Sequence, residues 1–83
     1  MPYTQDDLKL ANEHVAEAEA LVERQRDRVD ELRRHGQPTE AAHEILVILL
    51  ELRHQLTKHR NVISEALSAG SIAPAQPEDE PKP

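Results

Sequence analysis

Five histidines, His14, His35, His43, His54 and His59, are the residues of this 83-residue chain best suited to chemistry. Imidazole binds metals and titrates near neutral pH, so it serves as ligand, proton carrier or switch. Two of the five close the same pattern, Glu40-Ala41-Ala42-His43 and Glu51-Leu52-Arg53-His54. On a helix, E-x-x-H puts a carboxylate and an imidazole on one face, as in di-iron four-helix bundles. If a dimer brought Glu40, His43, Glu51 and His54 together with their symmetry mates, the imidazoles would suit zinc, copper, nickel or iron. The pattern is short, however, and recurs easily by chance in a Glu-rich chain. Glu40, Glu51 and His54 also fall outside the apolar seam identified below. The expectation is therefore no metal and no cofactor.

His59 interrupts an apolar seam close to His14. It could act as a ligand or a pH switch. The plainer reading is a half-buried residue that hydrogen-bonds a neighbour or fixes helix register, and Gln25 has the same explanation. No nucleophile constellation is visible, since Ser64, Ser68 and Ser71 lack an Asp–His partner in phase. Two glycines cannot build a phosphate-binding loop. With no cysteine, disulfides and Cys-type zinc or iron–sulfur sites are excluded. No enzyme is expected.

The elements that position these residues follow from periodicity. Asp6 to His35 contains no Gly or Pro, and Leu8, Ala11, Val15, Ala18, Val22, Gln25, Val29 and Leu32 repeat at alternating spacings of three and four. That predicts a helix over 5–35. Thr4 and Asp7 form a capping-box pattern at its start. Acids crowd its first half and Arg24, Arg26, Arg28, Arg33 and Arg34 its second, matching the helix dipole. Gly36 and Pro38 end it, placing a turn at 36–39. Thr39 caps a second helix over 40–69, closed by Gly70, with a seam of Ala42, Ile45, Leu49, Leu52, Leu56, His59, Ile63 and Ala66. So short a connection makes the helices antiparallel. The expected fold is all-α: a coiled-coil-like two-helix hairpin over 1–70. Its core would hold Leu8, Val15, Val22, Val29, Leu32, Ile45, Leu49, Leu52, Leu56 and Ile63. Matching the seams sets Leu32 by Ala42, Gln25 by Leu49, Val15 by His59 and Leu8 by Ala66.

Two helices bury one seam each, and the first is thinned by alanine. Such a core hardly offsets the ordering entropy of the chain. The second helix meanwhile has apolar surface to spare, since Ile45 to Leu50 is apolar all the way round. A stripe of His43, Val47, Leu50 and His54, flanked by Leu46 and Ile48, is the expected dimer interface, completing a four-helix bundle. Antiparallel pairing of second helices would set Val47 on the partner's Leu50.

Charge sharpens the choice of partners. The chain is net −6, and its basic concentration is interleaved with Asp27, Asp30 and Glu31. Pairs such as Arg26–Asp30 and Asp30–Arg34 make a solvated helix face, so no nucleic acid is expected. The longest apolar run has six residues, against about 20 for a membrane span. The N-terminus is polar and acidic, without the features of a secretory signal, so a cytoplasmic location is expected. Residues 71–83 hold four prolines and read as a disordered acidic tail.

The stretch from Asn12 to Glu19, then Arg24-Gln25-Arg26, Val29-Asp30-Glu31-Leu32, Gly36-Gln37-Pro38-Thr39-Glu40-Ala41 and His59-Arg60, resembles a group of short helical-hairpin proteins numerous in alphaproteobacteria. The shared features are an H-V/I-A-E-x-E run, an R-Q segment, a G-x-x-T turn and a late H-x-x-R-like segment, over residues 8–67. The resemblance implies a hairpin and assigns no activity or residue role. The functional expectation is a small interaction or structural module, homodimeric, that engages itself and other proteins through helix faces or the tail.

Overall fold

The computed structural model describes residues 3–72. Helix α1 spans Gln5–Arg34 and helix α2 spans Glu40–Ile72. Their cross-contacts run in opposite order: Asn12 meets Arg60 far from the turn and Gln25 meets Ala42 beside it, while Tyr3, ahead of α1, packs on His59. The chain is an antiparallel helical hairpin.

Each end of α1 has a local cause. Thr4 accepts from the Asp7 amide at 3.1 Å while the Asp7 carboxylate accepts from the Thr4 amide at 3.0 Å. The reciprocal pair satisfies two amides that have no partner within the helix. At the other end His35 is the last cap and Gly36 adopts φ 69°. The Gly36 amide donates to the Arg33 carbonyl at 3.1 Å and the Gln37 amide to the Leu32 carbonyl at 2.8 Å. This double closure needs a left-handed residue after the cap, which glycine adopts without a Cβ penalty.

Thr39 starts α2, its carbonyl accepting from the His43 amide at 2.8 Å. The far end differs from expectation. Gly70 does not stop the helix, which continues to Ile72. A mid-helix glycine costs only about 1 kcal/mol, and no proline follows until Pro74. Residues 71 and 72 thus belong to α2 rather than to a tail; the rest of the expected disordered segment lies outside the described residues.

The seam on α1 falls where the periodicity put it. Ala11, Val15, Ala18, Val22 and Val29 are buried, and Leu8, Gln25 and Leu32 are half-buried. On α2 the seam is displaced at every second position. Ala42, Leu49, Leu56 and Ile63 face α1 as expected, but their companions are Leu46, Arg53, Arg60 and Leu67. Leu46 is only 9% exposed, whereas Ile45 is 48% and Leu52 41% exposed. Ile45 and Leu52 are therefore rim residues, and Leu46 belongs to the hairpin core instead of the outward face. The apolar stripe of α2 is wider than one partner helix can cover, so α1 covers one edge of it. Arg53 and Arg60 suit the covered edge because their alkyl stems pack while their heads reach water.

Candidate functional site: one apolar flank

The hairpin has two long flanks, and they differ in chemistry. On one, Arg60 donates from Nη1 to Asn12 Oδ1 at 3.4 Å, and Leu50, Thr57 and Ser64 lie half-buried beside the seam. A shallow groove there is lined by Gln5, Leu8, Lys9, Asn12, Glu13 and Ala16. That side is polar.

The other flank begins at a groove of about 250 Å³ between the start of α1 and the second half of α2. Leu10 and His14 line it from α1, His59 and Ile63 from α2. Tyr3 closes its end, its ring edge-on to His59 with centroids 6.2 Å apart. Residues two helical turns apart share a face, so Leu21 continues the row of His14, and Leu52 and Ile45 continue the row of His59. Ile48 and Val62 each lie one turn beyond a member of that row. Leu10, Leu21, Ile45, Ile48, Leu52 and Val62 thus occupy one flank. They are six of the seven exposed large hydrophobic residues among the described ones, Val47 being the seventh. Ile48 is the most open, at 66%.

This relocates the outward apolar face. Val47 is 54% exposed but stands alone among the exposed apolar residues on its side, and Leu50 is half-buried. His43 and His54 are exposed on that same outer side. Of the residues expected at the interface, only Ile48 lies on the apolar flank. A second row at alternating spacings of four and three was present in the sequence: Ala41, Ile45, Ile48, Leu52, Gln55, His59, Val62 and Ala66. It shares Ile45, Leu52, His59 and Ala66 with the seam read for the hairpin, which hid it.

The histidines do not converge as metal ligands. Glu40, His43, Glu51 and His54 are all exposed, and no group of three or more acidic or histidine side chains among the described residues could hold a metal ion. His14 and His59 share a groove, both exposed at its rim. No known protein family matches this chain, and no characterised protein or solved structure is significantly similar to it.

The arginine-rich part of α1 forms short-range pairs. Arg28 meets Glu31 at 3.5 Å and Arg33 meets Asp30 at 3.2 Å, in place of the expected Arg26–Asp30 and Asp30–Arg34 pairs. All four side chains are at least half exposed, so the pairs decorate a solvated face. No helix of the described residues is long and apolar enough to cross a membrane.

Proposed function

We propose that this chain is a small non-enzymatic interaction module that acts as a homodimeric helical hairpin, two copies closing a four-helix bundle through the flank of Ile45, Ile48 and Leu52. The observation that carries this reading is the segregation of exposed aliphatic residues to one flank. Scattered singly they would need no explanation; gathered on one face they mark an interface.

The hairpin's own core supports the same conclusion. Among the described residues Val22 is the only side chain that is completely buried. Of the eight buried apolar residues among the described ones, three are the small side chains Ala11, Ala18 and Ala42. Burying a Val, Leu or Ile side chain completely is worth about 1.5–3 kcal/mol. Six residues already half covered would gain about 5–9 kcal/mol per protomer, twice that per dimer. Association costs about 4–15 kcal/mol, so the flank is large enough to hold two copies together.

A second copy fits better than an unrelated groove because the flank is self-sufficient in shape. The row on α2 has its largest side chains, Ile45, Ile48 and Leu52, on one side of its midpoint and His59, Val62 and Ala66 on the other. A copy turned end for end sets Ile45, Ile48 and Leu52 against the partner's Val62, His59 and Gln55.

Sedimentation equilibrium tests the proposal. The wild type is expected at twice the chain mass at micromolar concentration, with Ile48→Glu monomeric and Val47→Glu still dimeric. A wild-type monomer, or an Ile48→Glu protein of unchanged mass, would refute it.

A further inference from the structure

We infer that the two copies meet end for end, about a two-fold axis that crosses α2 between Leu52 and Gln55, so that the turns lie at opposite ends of the bundle. This rests on the dimer proposed above and adds its orientation and register.

Within the hairpin, Asn12 meets Arg60 and His14 shares a groove with His59. Away from the turn, residues of α1 and α2 are thus level when their numbers total about 73, while nearer the turn the long Gln25 side chain reaches Ala42. On that scale the hairpin divides into two halves of unequal charge. Residues 3–23 carry six acids and one base, and residues 50–69 three bases and two acids, so the half away from the turn is net −4. Residues 24–34 carry five bases and three acids, and residues 40–49 two acids, so the turn half balances to zero. Copies with both turns at one end would stack two net −4 halves. End-for-end pairing sets each acidic half against a neutral one and lays the acids of α1 along the partner's Arg24 and Arg28. Like charges held close disfavour the first arrangement and leave the second.

The apolar row fixes the register. Antiparallel seams match wherever a row of alternating three and four spacings is reflected on itself. Reflection between Leu52 and Gln55 sets Ile45 on the partner's Val62, Ile48 on the partner's His59 and Leu52 on the partner's Gln55. This point is near the middle of the hairpin, so both copies overlap over nearly their whole length. The next reflection towards the turn, between Ile48 and Leu52, would carry Val62 and Leu10 past the end of the partner and leave them in water.

The chain has no cysteine, so single engineered thiols carry spin labels without background. Gln37, in the turn, and Glu51, close to the axis, are both exposed. In the Gln37→Cys dimer the labels are expected about 50 Å apart, from a rise of 1.5 Å per residue over twice the distance from turn to axis. Turns at one end would give under about 25 Å, two helix diameters, and overturn the orientation. Labels on Glu51→Cys are close in either orientation and report the dimer itself. Close Glu51 labels with close Gln37 labels refute the inference alone. No dipolar coupling at Glu51, with a monomeric mass, refutes the dimer as well.

Discussion

Gln25 donates a hydrogen bond from Nε2 to the backbone carbonyl of Ala42, 2.8 Å away on the facing helix. It is the one polar interruption of the α1 seam, and it spends its amide on the first turn of α2. A carbonyl has two lone pairs, so Ala42 can accept this bond beside the one within its own helix. The contact ties the two helices near the turn at a fixed axial offset. It also places Gln25 closer to the turn on α2 than the expected pairing with Leu49.

Replacing Gln25 with alanine is expected to destabilise the protein by about 1 kcal/mol, the net worth of a partly buried hydrogen bond. Gln25→Leu should cost less, because it fills the seam and Ala42 keeps its helical donor. Thermal melts at one fixed protein concentration measure both, since dimerisation makes the midpoint concentration-dependent. An unchanged midpoint for Gln25→Ala would show the contact carries no stability.

Leu46 and Val47 are neighbours in sequence with opposite environments, 9% and 54% exposed. Leu46→Ala is expected to cost about 2–5 kcal/mol through lost burial and the cavity left behind. Val47→Ala should stay within about 0.5 kcal/mol, as for a surface substitution. Urea titration of the pair tests the displaced seam directly. Equal effects would return the seam to Ile45 and Leu52.

Gly36 holds φ 69° in open space, with nothing within 4 Å of where a Cβ would sit. Gly36→Ala therefore meets no clash and is expected to cost about 1–2 kcal/mol from the left-handed backbone alone. Gly36→Asn should recover part of that loss, because asparagine tolerates this conformation. A drop well beyond this range in the melting experiment would point to a steric role for the turn.

The capping pair at the start of α1 is exposed and local. Thr4→Ala should lose about 1 kcal/mol, and Thr4→Ser little. Amide hydrogen exchange should quicken in the first turn of α1 and remain unchanged near Val22. Faster exchange along the whole helix would mean that the cap controls global unfolding.

How far the sequence reaches is clearest at two kinds of position. Thr4, Asp7, Gly36 and Pro38 act on the backbone within a few residues, so their roles in starting and stopping helices were legible from type and spacing. The α1 seam was legible too, because its apolar stripe is narrow: Ala11, Val15, Ala18 and Val22 leave one possible face. The α2 stripe is broad. Its residues Ile45, Leu46, Ile48, Leu49 and Leu52 admit two seams, and periodicity favours the one with more aliphatic side chains.

The sequence by itself therefore determined an all-α hairpin, its turn and the buried face of α1, all set by local backbone preference and a single narrow stripe. Only the tertiary structure decided which edge of α2 that face covers. Arg53 and Arg60 can lie in a seam along their alkyl stems, which a pattern of apolar letters does not register. Once they are placed there, Ile45, Ile48 and Leu52 are left together on the open flank. Where α1 stops covering α2 is a property of two packed surfaces, and that boundary defines the candidate interface.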